Sequence, residues 1–503
     1  MKINQLKAGV LLSYISMGTS ILISLFYTPF LLEKLGQSEY GLYTFSNSFV
    51  SYLNLFNFGF NSAYIKFFTQ YKSSPDKKDL ARLNGLYLLI FSVMGLLALI
   101  TGMGLVLSVD SLFAEKFTPQ ELYTAKILIT MLVVNIALSL PLSIFSSYIS
   151  ATENFFFLKV LDLSKNILRP LAVVVALLFG YKSIGLVLTI VSFNILVEII
   201  HIVFCLGKLR MQISFRKLNF NLIGTISSFS LFIFLAMIVD QINWNIDKLL
   251  LGAFCGTVAV AVYGVASQLH GYINQVSSTI SSVFIPRVHK LINDNLEKET
   301  SDLFIRVGRI QFLIYSYIFL GFVSFGEPFI HLWAGSEYKT SYYIAVILML
   351  SLSCAQIQNI GIEVRRAKNQ HKQPAIFMVA VALINLIVSI PLCIKWGGIG
   401  CALGTLFSQI CNTIYINIYY YKVVKLDIPR FWKSIIPLVL VALVPASAGI
   451  LINSAVTISQ YTHLALYLAI YSLIYFVCMW FAMNKYEKGL VLSLFRKVLR
   501  KNA

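Results

Sequence analysis

The chain has 503 residues, 58% of them hydrophobic and only 12% charged, with a mean hydropathy of +0.78. Soluble domains carry about 25% charged residues, so a water-soluble enzyme of this composition could not cover its surface; the chain is read as a membrane protein. Its net charge of +19 is not a nucleic-acid footprint, because the cations come in small groups between long apolar runs rather than in a basic domain or stripe.

A helix needs about 20 apolar residues to cross the hydrocarbon core. Fourteen stretches meet that length, near 8–33, 41–67, 83–109, 122–150, 157–180, 184–207, 222–247, 258–286, 308–330, 340–363, 375–394, 399–421, 434–453 and 464–484. The first is too long for a signal-peptide core and has no small-x-small cleavage site, so it is expected to remain as span 1. With the N-terminus inside, only Lys34, Lys116, Lys126, Lys182, Lys248, Lys339 and Lys395 of the 40 Lys+Arg fall on outer segments. That asymmetry orients the chain by the positive-inside rule, with both termini cytoplasmic. The loops are too short to hold a catalytic domain.

Polar residues inside the spans are the candidate functional groups, because they are costly in lipid and face the bundle interior or a hydrated cavity. Span 2 carries Asn54, Asn57 and Asn61 along one expected helical face. The apolar part of span 5, Leu171 to Phe179, is too short to cross, so the helix must reach back to about 157–160. Asp162, Lys165 and Arg169 then share a face, with Arg169 about 16 Å from the outer end. A central Arg costs about 2.5–3.5 kcal/mol, and an anion would relieve it. Snorkelling to the inner headgroups is the alternative, which Lys165 can reach more readily than Arg169.

Span 6 holds Glu198 and His201 at i, i+3, and span 7 holds Asp240, with Asp247 and Lys248 near its outer end. A desolvated carboxylate could carry a coupling proton; a structural Glu–His pair is the alternative. The basic segment 208–221 is the expected linker. Span 8 carries Gln268, Gln275, Ser278 and Ser282, with His270 beside them. These stripes either bond neighbouring helices or line a cavity for a sugar.

A 220-residue offset places Leu31, Gly36, Tyr43, Tyr52, Asn54, Ser62 and Ile65 on Leu251, Gly256, Tyr263, Tyr272, Asn274, Ser282 and Ile285. It pairs spans 1–2 with spans 7–8, which enter the membrane in the same direction, as in a parallel repeat of secondary transporters. The expected architecture is an all-α polytopic membrane protein. It comprises two six-helix lobes (1–207 and 222–421), two further helices (434–484) and a basic cytoplasmic tail (485–503). A cleft between lobes would suit alternating access. The seven cysteines contain no C-x-x-C pair and are read as small apolar packing residues. No phosphate-binding, nucleophile-elbow or zinc-protease motif is present, so no catalytic residue, cofactor or metal ligand is assigned.

The stretch Phe30-Leu31-Leu32-Glu33-Lys34-Leu35-Gly36-Gln37-Ser38-Glu39-Tyr40-Gly41-Leu42-Tyr43, followed by Asn57-x-Gly59-x-Asn61-Ser62-Ala63, resembles bacterial polysaccharide-repeat-unit exporters. These are the O-antigen and capsule flippases of the multidrug/oligosaccharidyl-lipid/polysaccharide superfamily. Span count and short loops extend the resemblance over the whole chain. It implies a flippase that moves an undecaprenyl-diphosphate-linked oligosaccharide from the inner to the outer leaflet of the bacterial cytoplasmic membrane. Polymerase and chain-length proteins are the partners it implies, alongside the lipid bilayer itself. The family's cationic cavity would be supplied here by Lys165 and Arg169, and the amide stripes Asn54, Asn57, Asn61, Gln268 and Gln275 would meet the sugar.

A cation-coupled drug antiporter of the same superfamily is the nearest rival. It would be expected to carry an acid in the early helices, yet span 1 has no charge between Lys7 and Glu33, nor span 2 between Glu39 and Lys66. A peptidoglycan-precursor flippase is another relative. A membrane polysaccharide polymerase would be expected to need a large outer loop, which this chain lacks.

Overall fold

The computed structural model describes residues 5–72, 77–368, 370, 372–456 and 458–501. They form fifteen helices: α1 (Gln5–Ser51), α2 (Phe60–Lys72), α3 (Lys77–Phe113), α4 (Pro119–Ala151), α5 (Phe155–Leu178), α6 (Lys182–Val203), α7 (Asn221–Cys255), α8 (Thr257–Asn293), α9 (Glu297–Trp333), α10 (Lys339–Ile357), α11 (Ile360–Ala367), α12 (Lys372–Tyr419), α13 (Ile428–Ala455), α14 (Tyr461–Ala482) and α15 (Lys485–Lys501). All fourteen expected spans fall on helices, with breaks at Phe58–Gly59 in span 2 and at Gln358–Asn359 in span 10. The continuous runs Leu12–Lys72 and Gln373–Val424 each hold two of them. The helices extend beyond the expected bounds because a helix can keep its backbone bonded past the hydrocarbon edge.

Hydrocarbon offers no partner to a peptide group, so the chain reverses with minimal unwinding. In α1 a single residue, Gly36 (φ 74°, ψ 174°), separates spans 1 and 2. Gly256 (φ 85°, ψ −178°) does the same between α7 and α8. Their matching backbones, 220 residues apart, give the internal repeat a conformational basis: both turns require a φ that only glycine takes readily. Spans 11 and 12 meet at Gly397 (φ 57°). Spans 6 and 12 both finish in a five-residue π-turn, Phe204–Lys208 and Tyr420–Val424.

Span 2 departs from the expectation. Tyr52–Asn57 tighten into a 3-10 helix, Phe58 takes a left-handed conformation and Gly59 has φ 73° before α2 resumes. Asn54, Asn57 and Asn61 therefore do not form one continuous α-helical stripe, since the break changes the helical phase between Asn57 and Asn61. Helix α7 bends by 49° between Asn221–Ser228 and Ile233–Cys255, at a serine-rich stretch of the kind that accompanies kinks.

By backbone contacts the chain divides into two compact units, residues 1–264 with 378–401 and residues 265–377 with 402–503. The first is packed around Tyr64, Phe68, Tyr87, Phe91, Ile144 and Ile149. The segment after span 6 is pinned to α3: Asn84 Nδ2 donates to the Gln212 carbonyl (2.8 Å) and Ser214 N to the Ala81 carbonyl (2.9 Å). The second unit is packed around Phe304, Phe325, Tyr420, Phe431, Tyr471 and Tyr475. There Arg309 binds Glu487 through two oxygens (2.6 and 3.0 Å) and also donates to the Ser434 and Ala482 carbonyls. Glu487 also closes a capping box with Asn484, tying the start of α15 to α9. Large side chains such as Phe26, Leu107 and Phe481 are about 80% exposed, which is costly in water but not in lipid. The chain is a multi-pass membrane protein.

Gly41 lies where a Cβ would meet the Thr257 carbonyl oxygen at 2.0 Å, whereas a Cβ at exposed Gly104 meets nothing within 4 Å. Gly41→Ala should cost about 1–3 kcal/mol, read as a lower melting temperature. Gly104→Ala should leave it unchanged or raise it.

Candidate functional site

Helix α5 packs on α1 and α6 and carries the expected cations. Lys165 and Arg169 are both half-buried. Lys165 has Arg169, Asp162 and Glu198 within electrostatic reach, and Arg169 lies near the phenols of Tyr27 and Tyr43. Asp162 itself pairs with Lys159 at 3.4 Å. On α6, Glu198 Oε2 meets His201 Nδ1 at 3.2 Å, and His201 is buried. Residues expected separately for substrate and for coupling thus lie within electrostatic reach of one another. Two cations, two phenols and a His–Glu pair can bind an anion through charge and donated hydrogen bonds. Tyr27 carries no sequence signal, because aromatic residues are everywhere in these spans, whereas Tyr43 closes the quoted motif and matches Tyr263 in the repeat.

The amides are dispersed. Asn54 is exposed and its Nδ2 donates to its own chain at the Ser51 carbonyl (3.1 Å). Asn57 is half-buried at the end of the 3-10 turn. Asn61 accepts from Ser143 Oγ of α4 (3.2 Å). In the second unit Gln268 Nε2 donates to Tyr272 OH (2.5 Å), and Gln275 is exposed. Asp240 on α7 is exposed as well. Asp247 is instead buried and accepts from Tyr263 OH.

The break in span 2 rests on α7. Ser51 Oγ and Asn245 Nδ2 both donate to Gln241 Oε1 (3.1 and 2.7 Å), Tyr52 OH reaches the Gln241 carbonyl (3.4 Å), and Phe58 stacks on Phe234. The i, i+4 spacing of Gln241 and Asn245 is the signal that could have found this network.

A second group closes the end of these helices that carries Gly36 and Gly256. Thr118, Pro119 and Glu121 start α4 with a capping box, the arrangement that satisfies two otherwise orphaned N–H groups. Glu121 then accepts from Ser38 Oγ (2.6 Å) and Thr257 Oγ1 (2.7 Å), besides Thr118 N (2.9 Å) and Thr118 Oγ1 (3.0 Å). One carboxylate thereby joins the starts of spans 2, 4 and 8. Glu39 accepts from Ser183 Oγ at the start of span 6. Beneath them Phe45 packs edge-on against Phe113 and Phe117, and Gly252 lies flat against its ring. The quoted motif acquires physical meaning here: Gly36 turns the chain, Ser38 and Glu39 bond neighbouring helices, and Gly41 admits the Thr257 carbonyl.

The family model described as "Polysaccharide biosynthesis protein" matches residues 6–292. A curated relative, the probable low-salt glycan biosynthesis flippase Agl15 of Haloferax volcanii, is 21% identical over 208 residues. That match spans 41% of this chain and 44% of the relative, less than half the length of either. Among solved structures, the lipid II flippase MurJ in an inward closed conformation superposes with a TM-score of 0.72 at 19% identity, covering 93% of this chain and 98% of that one. An inward-facing multidrug resistance transporter of the MATE family, in the MOP superfamily, gives a TM-score of 0.60 at 12% identity, covering 84% and 99%. At such identities these two likenesses are likenesses of fold.

Glu121→Ala removes the acceptor of four hydrogen bonds, and bonds to a charged group contribute about 1.5–3 kcal/mol each. Amide hydrogen exchange should rise in residues 36–41 and 256–260 and stay unchanged in α9, α13 and α14.

Proposed function

The chain belongs to the polysaccharide biosynthesis protein family, and on that premise we propose that it is a lipid-linked oligosaccharide flippase. Its substrate is an undecaprenyl-diphosphate-linked polysaccharide repeat unit, carried from the cytoplasmic to the outer leaflet by alternating access. The observation that carries this reading is the α5 cluster: Lys165 and Arg169, both half-buried, beside Glu198 and two phenols. A diphosphate offers the multiple acceptor oxygens that Arg and Lys bind by charge-assisted hydrogen bonds, and its lipid tail can stay in the bilayer. Arg169 is nine residues from the end of α5 at Leu178, about 14 Å along the axis, too deep for easy snorkelling. The amides of Asn54, Asn57, Asn61, Gln268 and Gln275 are the candidates for sugar hydroxyls. Lobes at 1–207 and 222–421, with 434–484 and the tail at 485–503 outside them, are the moving parts in this reading.

The Gly36–Gly256 end is the outer one, as the charge asymmetry favours, and the Glu121 contacts hold it shut. The chain works in the bacterial cytoplasmic membrane with both termini inside, next to the polymerase and chain-length proteins that consume its product. Glu198, held by His201 and facing Lys165 by charge, is the group to couple transport to protons. Asp240, exposed on α7, is the secondary candidate.

The test is the leaflet distribution of lipid-linked glycan in membranes lacking the protein, read with a non-permeant glycan-modifying reagent. Repeat units should accumulate on the cytoplasmic face and be relieved by the wild-type gene. A normal distribution in a strain without a second flippase rejects this substrate and favours the antiporter. Unpolymerised units on the outer face favour a polymerase. Arg169→Ala, expressed at wild-type level, should lower flipping about 10–100-fold, the loss of one charged contact of about 1.5–3 kcal/mol; normal export removes Arg169 from the site. Glu198→Gln should abolish the response of flux to a pH gradient, and an unaltered pH series ends that assignment.

A further inference from the structure

Three thiols converge where α7 ends and spans 11 and 12 meet. Cys255 is the last residue of α7, and Cys393 and Cys401 flank the Gly397 turn inside α12. Cys255 Sγ lies 4.0 Å from Cys393 Sγ and 3.7 Å from the Cys393 carbonyl oxygen, to which it donates. The Cys393 and Cys401 thiols are in turn neighbours. Cys393 and Cys401 are fully buried, while Cys255 is partly exposed.

We propose that Cys255 and Cys393 are a redox modification site, joined by a reversible disulfide that staples the end of α7 to span 11. The sulfurs must close from 4.0 Å to about 2.05 Å. Room for that movement is at hand on the Cys255 side, where the chain turns at Gly256. Gly256 and Gly397 both have positive φ, and a Cβ on Gly397 would sit 3.9 Å from Cys255 Sγ, so no side chain separates them there. The partial exposure of Cys255 sets the order of events. Its thiolate attacks the disulfide of an external thiol–disulfide oxidant, releasing one thiol and leaving a mixed disulfide. The Cys393 thiolate then attacks Cys255 Sγ and expels the second thiol. Two protein thiols are oxidised, one external disulfide is reduced to two thiols, and the two protons pass to those thiols. The biological oxidant depends on the outward placement of these ends proposed above, where thiols are exposed to oxidising conditions. In purified protein the chemistry is independent of orientation, so its failure is separable from failure of the flippase reading.

Full-length protein in lipid nanodiscs would be incubated with oxidised glutathione, blocked with N-ethylmaleimide, digested and read by peptide mass spectrometry. The expected product is a peptide pair linked through Cys255 and Cys393, two hydrogens lighter than the reduced pair. It should be lost on dithiothreitol and absent from Cys255→Ser and from Cys393→Ser. Oxidation of wild type should also raise the melting temperature, since the bond closes a long loop, and the rise should vanish in Cys255→Ser. Alkylation of both positions after oxidation, or glutathione retained on Cys255 with Cys393 still alkylated, would overturn the site.

Discussion

Hydrocarbon cannot hydrogen-bond a peptide group, and that constraint shapes nearly every feature of this chain. Helices satisfy their own backbones, so spans 1 and 2 stay almost continuous through Gly36 and spans 11 and 12 through Gly397. Where the helix does fail, at Tyr52–Gly59, the irregular backbone is not left to lipid. Ser51, Tyr52, Phe58 and Gly59 rest on Gln241, Phe234 and Ile233 of α7. A break held this way gives an element that can straighten or bend without exposing peptide groups.

The same solvent makes charge expensive, and the charges of span 5 have polar neighbours. Lys165 has Glu198 and Asp162 for company, Arg169 has two phenols, and Glu198 is bonded to His201. In water such groupings would contribute little. Within a membrane they make the cations of span 5 more tolerable. Glu121 is the counterpart at the helix ends. A carboxylate that caps its own helix also gathers Ser38 and Thr257, so a local device becomes a long-range clasp.

The spans were legible because length and hydropathy are the very quantities the bilayer tests, and the repeat was legible because Gly36 and Gly256 occupy equivalent turns. The reach of α5 back past Asp162, Lys165 and Arg169 followed from counting residues back from the end of span 5. The asparagine stripe of span 2 failed for a definite reason. It assumed an unbroken 3.6-residue period through Phe58, whose left-handed conformation nothing in the local composition announces apart from the following glycine. The Glu121 clasp was half legible: Thr118-x-x-Glu121 reads as a capping box, but Ser38 and Thr257 are 83 and 136 residues away.

Sequence alone therefore determined the class of protein, the helical spans, the two-fold internal repeat and the presence of two cations on span 5. These depend on one-dimensional quantities, the transfer cost of each stretch and the sign of its charges. Only the tertiary structure decided which polar groups meet: Gln241 with Ser51, Glu121 with Thr257, Cys255 with Cys393. In a chain this apolar, hydropathy places residues by depth and says little about rotation around a helix axis. The packing of one helix on another sets that rotation, and with it the partners of every polar side chain.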